Sequence, residues 1–321
     1  KNLAPKTIVS YRQPITLHLI PALGNIPLSK LQPMHIQQYV NKALQNKSPR
    51  TVAYSLTVLK QVLKHAVQKW RLIPYNPADA VERPSYRRIK FQALNIEEVE
   101  AFLELAKEHQ DYPIIYTALY TGMRQGELLG LRWDDVDLNR GVIKVQRTAQ
   151  WVTGLGRIEK APKTEAGRRE VDLPATVISL FREIKKQQAQ NRLFMADKYQ
   201  DNNLVFCQEN GKAIDNSNLT RRFRRLADAN GYEDLRFHDL RHTHASLMLA
   251  AGEQLHVVQQ RLGHEKPSTT ADIYGHAIPG QQRAAADRFD NLFGHQMGTN
   301  HPQRHSQQKK QKPRKARGYG F

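Results

Sequence analysis

The chain has 321 residues, a net charge of +19 and 40% hydrophobic residues. That length suits two domains, each with its own core, and no run approaches the ~18 uninterrupted apolar residues of a membrane span. Cys207 is the only cysteine, which excludes an internal disulfide framework and fits a reducing compartment.

The start, KNLAPKTIVSYRQ, lacks the apolar core of a signal peptide. A cytoplasmic protein is expected, and Lys1 in place of Met reads as a piece of something longer. Charge is unevenly spread. Residues 1–87 hold 13 Lys/Arg against Asp79 and Glu82 alone, and residues 298–321 hold 7 with no acid, while residues 88–297 are nearly balanced. Two basic ends around a balanced centre predict a polyanionic partner, nucleic acid before membrane.

Residues 1–87 read as a helical, basic domain. Pro5 suits the first turn of a helix running through Tyr11 to Leu19, and Pro33 starts a second through Ile36, Tyr39, Val40 and Leu44. Ser48 is a good N-cap with Pro49 behind it. Val52, Leu56, Leu59, Leu63, Ala66, Val67 and Trp70 then recur at helical spacing as a core stripe. Arg50, Lys60, Lys64 and Lys69 are candidate DNA contacts. Pro74, Pro77 and Pro84 break the pattern, and residues 88–94 read as a linker.

A second domain is expected over 95–297. Asn95 and Glu98 predict a capping box, and Gly122 the end of a helix over 113–121. Val142–Val145, Arg157–Ala161 and Arg169–Leu173 read as short strands. Helices follow at about 175–190, 217–230, 240–250, 254–262 and 280–293. The fold class is therefore mainly α with a small antiparallel β-sheet. Residues 298–321 have no apolar periodicity and read as a disordered basic tail.

The chemistry-bearing residues sit in short motifs: TGMRQGELLGLRW, KAPKTEAGRRE, HDLRHTHAS and LGHEKPSTTADIYGH. Cleaving a phosphodiester without a metal requires cations aimed at its non-bridging oxygens. Arg124 and Arg241 suit that task, because a guanidinium bonds two oxygens and keeps its proton. His238 and His264 can share protons near neutral pH. Tyr274, ten residues after His264, offers a phenol oxygen as nucleophile once cations favour the phenolate. The leaving oxygen needs a proton, for which Lys163 and Lys160 compete.

A metal reading is weaker. His238 and His242 are spaced as a zinc pair but lack the Glu of the HExxH motif. Glu127, Asp134, Asp135 and Asp137, candidates for magnesium, read equally well as loop and cap residues. Neither a metal nor a cofactor is expected.

These motifs resemble those of the tyrosine recombinases, more narrowly the integrases of phages and conjugative transposons, over about 1–295. PALGNIPLSKLQP and SPRTVAYSLTVLKQVL resemble the family's core-binding domain. The resemblance implies catalytic Arg124, Lys163 (chosen over Lys160), His238, Arg241, His264 and nucleophile Tyr274, with Glu127 as a supporting acid. It implies a C-shaped clamp on duplex DNA, a 3′-phosphotyrosine intermediate and a homo-tetramer acting on two duplexes. An accessory DNA-bending protein and a nucleoid-associated location also follow from it. The helix carrying Ala286, Phe289, Leu292 and Phe293 has an apolar face for its own subunit or a neighbour. The expected function is integration and excision of a mobile element. The rivals are an Xer-like dimer-resolving recombinase, a type IB topoisomerase-like enzyme, a non-catalytic DNA-binding protein and a metal-dependent nuclease.

Overall fold

The computed structural model describes residues 3–86, 93–162, 165–263, 286, 289 and 290. Nearly all of them belong to one compact unit, Lys1–Ala277. Of the second, Ile278–Phe321, only Ala286, Phe289 and Asp290 are described, all helical. The helix expected over 280–293 and the tail thus lie largely or wholly outside the described residues.

Helix α1 (Pro5–Pro14) follows an extended Ala4, with proline in its first turn where the missing N–H costs nothing. Pro14 also lacks an N–H, and beyond it the chain winds as a π-turn over Ile15–Leu19 before resuming as α2 (Ile20–Leu23). Helix α3 (Pro33–Leu44) is capped by His35 Nδ1, which accepts the Gln32 N–H at 3.2 Å. Helix α4 (Pro49–Gln68) starts where Ser48 Oγ accepts the Thr51 N–H at 3.2 Å. Leu19, Leu23, Ile36, Val40, Val52, Leu56, Leu59 and Leu63 form its apolar cluster, which Ile73, Ala78 and Val81 close from the following turns.

Trp70 is not part of that stripe. Helix α4 ends at Gln68, Arg71 takes a left-handed φ of 50°, and the indole is 61% exposed. The apolar spacing runs two residues past the point where the backbone stops being helical.

A second apolar cluster is built from Leu94 onward. Helix α5 (Ile96–Ala106) has the expected capping box, with the Glu98 N–H donating to Asn95 Oδ1 and the Asn95 N–H to Glu98 Oε2, both at 2.8 Å. Helix α6 (Tyr112–Thr121) ends at Gly122, φ +63°. A Cβ there would lie 2.6 Å from the His244 ring and 2.7 Å from Leu262, so both conformation and close packing require glycine. Helix α7 (Gln125–Leu129) follows at once.

The chain then forms two small antiparallel sheets where one was expected. Strands β1 (Val136–Asp137), β2 (Val142–Val145) and β5 (Arg169–Asp172) pair in the order β1-β2-β5, with Ile143 opposite Val171. Strands β3 (Thr148–Val152) and β4 (Gly156–Lys160) make a separate hairpin, with Thr148 opposite Lys160. Helices α8 (Ala175–Met195), α9 (Asn216–Ala229), α10 (Asp239–Ala250) and α11 (Leu255–Leu262) complete the unit. Phe102, Ile115, Met123, Leu128, Ile143, Phe181, Phe223 and Leu240 fill the core. Phe102 packs edge-on to Phe223 at 5.7 Å. The Leu94 N–H donates to Thr243 Oγ1 at 3.1 Å, fastening the start of this half to α10.

Candidate active site

Three chain segments meet at the end of α11. Gly122 breaks α6 so that Arg124 stands at the start of α7. Arg241 lies in the first turn of α10, behind His238 at the N-cap. Leu262 and Gly263 end α11. Arg241 is buried and donates through Nη1 to the Gly122 carbonyl and through Nη2 to the Leu262 carbonyl, both at 2.6 Å. Arg124 donates from Nη1 to the same Leu262 carbonyl at 3.5 Å and from Nη2 to that of Gly263 at 3.2 Å. The two forks therefore converge on one oxygen. Arg124 remains 38% exposed, so it borders solvent where Arg241 does not.

Glu127 lies beneath them, 5% exposed. It accepts the Arg124 N–H at 2.9 Å and Arg124 Nη1 at 2.8 Å. It also accepts Arg169 Nη2 at 2.9 Å and Nη1 at 3.2 Å. Burial alone would raise its pKa, but the hydrogen bonds and charge of Arg169, then Arg124, overcome that and hold it at about 2. One carboxylate thus serves two guanidiniums. Glu127 sets one negative charge against the two of Arg124 and Arg169, a local positive excess of the kind that draws a phosphate.

His238 is exposed at the head of α10. Partial loss of water around its ring first, and the Arg241 charge second, push its pKa below 6.5. It is therefore neutral near neutral pH and can donate from one nitrogen and accept at the other. The His238 and His242 rings stand edge-to-face at 5.0 Å. His244 faces elsewhere, with Nδ1 2.7 Å from the Leu119 carbonyl and Nε2 accepting Arg261 Nε at 3.1 Å.

The acids of the metal reading are each engaged. Besides Glu127, Asp134 accepts Asn203 Nδ2 at 2.7 Å, Asp135 pairs with Arg147, and Asp137 accepts the Asn139 and Arg140 N–H groups at 3.0 and 2.9 Å. Among the described residues no group of three or more His, Cys, Asp or Glu is placed to hold a metal ion.

Of the expected site residues, Arg124, Glu127, His238 and Arg241 come together. Lys163, His264 and Tyr274 lie outside the described residues. Lys160, the competing lysine, sits half-buried on β4.

Among the expected DNA contacts, Lys64 and Lys69 are exposed, whereas Lys60 gives one N–H to the Val81 carbonyl at 3.2 Å. These three lysines line one hollow, and Arg50 lines another with His18 and Arg83. Arg169, Arg261 and His244 were not foreseen. A GRRE run in a strand-turn context carries no mark of what its arginine will touch.

The chain matches the profile described as Phage integrase family over residues 92–280. It matches the Phage integrase, N-terminal SAM-like domain over residues 1–44. It is 31% identical over 294 residues to a tyrosine recombinase XerC-like protein of Caldanaerobacter subterraneus, spanning 84% of this chain and 74% of that one. It is 30% identical over 254 residues to the ICEBs1 integrase of Bacillus subtilis, covering 78% and 67%. In fold it is similar to the Tn1549 transposon integrase in complex with a circular intermediate DNA, with a TM-score of 0.73, 24% identity, and 90% and 95% of the two chains covered. It is also similar to a lambda integrase tetramer bound to a Holliday junction, with a TM-score of 0.65, 17% identity, and 87% and 75% covered.

Proposed function

This chain belongs to the phage integrase family, and on that premise we propose how its residues cut and rejoin DNA. It is a tyrosine-type site-specific recombinase, of the kind that integrates mobile elements. The observation that carries the residue-level reading is the convergence of Arg124 and Arg241 on the Leu262 carbonyl oxygen, just before the segment holding His264 and Tyr274.

In this reading Arg124 and Arg241 bind the non-bridging oxygens of the scissile phosphate, where negative charge grows in the transition state. The Tyr274 phenol passes its proton to solvent water, and its oxygen attacks phosphorus. A bond forms between phosphorus and that oxygen, and the bond to the 5′-oxygen breaks. Lys163 protonates the departing 5′-oxygen, while His238 and His264 hydrogen-bond the phosphate. The 3′-phosphotyrosine keeps the bond energy. A 5′-hydroxyl from a partner strand then attacks it, restoring the phosphodiester and the phenol without ATP.

The proposed substrate is double-stranded DNA; the solved neighbours are bound to a circular intermediate DNA and to a Holliday junction. A homo-tetramer on two duplexes is proposed by analogy with the lambda integrase assembly. An accessory DNA-bending protein belongs to the same proposal, as does a place at the nucleoid. Arg50, Lys64 and Lys69, with Lys60 at the edge, supply phosphate contacts from the helical half. Among the described residues no helix is long and apolar enough to cross a membrane.

The test uses a nicked duplex carrying the element's core site, with EDTA present. A covalent protein–DNA adduct should appear on a denaturing gel and vanish in Tyr274→Phe. An undiminished adduct in that variant removes Tyr274 from the mechanism. Loss of the adduct in EDTA would revive the metal reading. Joining of strands between two duplexes then separates a recombinase from a topoisomerase.

A further inference from the structure

Three successive carbonyls at the end of α11 are held by arginines from elsewhere in the chain. Leu262 and Gly263 receive Arg241 and Arg124. The third, that of Arg261, receives Arg169 Nε at 2.6 Å. The same Arg169 guanidinium gives Nη1 and Nη2 to Glu127 on α7, and Nη1 also lies 3.4 Å from the Gly167 carbonyl. Its side chain is 5% exposed.

One planar group therefore bridges the three segments that lead to the catalytic candidates. Helix α7 is capped by Arg124. The segment ending at Gly167 carries Lys163. The end of α11 leads to His264 and Tyr274. Gly263 is left-handed (φ +66°), and a Cβ on it would come within 2.7 Å of the Ala166 carbonyl oxygen and 3.0 Å of Arg169 Nη1. The turn is thus packed directly onto the Arg169 fork, with no room for a side chain between them.

We infer that Arg169 is a positioning residue of the strand-cleavage reaction, setting the direction in which the chain leaves α11 relative to Arg124 and Arg241. This rests on the reading above. Arg169 touches no substrate in that reading and acts through the groups it aligns. A lysine keeps the charge opposite Glu127, yet a single ammonium cannot reproduce the fork that reaches Glu127, Gly167 and Arg261 from fixed directions. A misplacement of about 1 Å among reacting groups slows chemistry by ~100-fold without a comparable effect on binding.

The test compares the parent with Arg169→Lys on the nicked duplex, measuring the single-turnover cleavage rate and the DNA Kd separately. Arg222→Lys serves as control, because Arg222 makes a bidentate pair with Asp111 away from the site. Amide hydrogen exchange of Leu255–Gly263 is measured on the same three proteins without DNA. Arg169→Lys should cleave at least ~30-fold slower with Kd within about 3-fold of the parent, a split that loss of global stability would not give. The amides at the end of α11 should exchange faster in that variant and unchanged in the control. Parent-like cleavage by Arg169→Lys overturns the inference, as does a loss of binding and rate in equal proportion. Unchanged exchange overturns it too, even if the parent forms no adduct. A parent without adduct beside faster exchange in Arg169→Lys leaves the positioning role supported and defeats the cleavage reading instead.

Discussion

Replacing Glu127 with Gln should destabilise the protein by about 3 kcal/mol near neutral pH. The carboxylate is 5% exposed and accepts N–H groups from Arg124 and Arg169, the latter equally buried. Its pKa falls from 4.5 to about 2, burial being outweighed by the two arginines. At about 1.4 kcal/mol per pH unit, that drop corresponds to about 3 kcal/mol of folding free energy. Removing one partner of a buried ion pair independently suggests ~3–5 kcal/mol, because the remaining charge stays buried. The sign follows from the folded pKa lying below the unfolded one. The contribution is complete above pH 4.5 and is lost as pH falls through about 2. Urea denaturation followed by tryptophan fluorescence reads it, since Trp133 packs on Phe181 in the same core. The parent should lose stability steeply across that acidic window, and Glu127→Gln should lose less of it. Glu104→Gln, which breaks an exposed pair with Lys107, should behave as the parent. A change below ~1 kcal/mol in Glu127→Gln, within the ordinary range for surface substitutions, would show that the carboxylate is not the counter-charge of Arg169.

Two further outcomes follow from local geometry. Ser48→Ala should cost about 1 kcal/mol in the same denaturation assay, because the Thr51 N–H loses its side-chain capping acceptor at the start of α4. His244→Asn should flatten the stability profile between pH 6.5 and about 3. His244 is held neutral by burial, then by the Arg261 charge, with a folded pKa of about 3, so the unfolded chain binds its proton first as pH falls from 6.5. A proton titration of the His244 ring in the folded protein with a midpoint near 6.5 would contradict this.

The features legible in the sequence are those decided within a few residues. Ser48 before Pro49, Asn95 with Glu98, and Gly122 or Gly263 after an apolar run each fix a helix end by their own backbone chemistry, and each lies where expected. Strand β1 escaped notice because two residues give no period to read, and β3 because its buried residues, Ala149 and Val152, lie three apart rather than two. Trp70 misled because spacing reports where a side chain would point only if the helix continued. Motif resemblance singled out Arg124, His238 and Arg241, which the fold brings near one another. Arg169 was not, because its partners lie 42 residues back at Glu127 and 92 residues ahead at Arg261. Tertiary contacts at such separations leave no local pattern.

The placement of charge explains how one acid among several arginines would serve the proposed phosphate chemistry. A carboxylate on each guanidinium would orient the forks but cancel their field. Two of the contacts that orient Arg241 are to the carbonyls of Gly122 and Leu262, neutral acceptors. Glu127 sits between a buried arginine and one that is 38% exposed. A buried cation gains far more from a counter-ion than a solvated one, so the carboxylate chiefly offsets Arg169. The uncompensated charge is displaced toward Arg124, on the side open to solvent. In the proposed reaction, an incoming phosphate meets Arg124 on that side, where Glu127 and the Leu262 and Gly263 carbonyls already orient its fork. Moving the acid to the outer side would reverse this balance, leaving Arg169 unpaired in the interior and Arg124 neutralised at the surface.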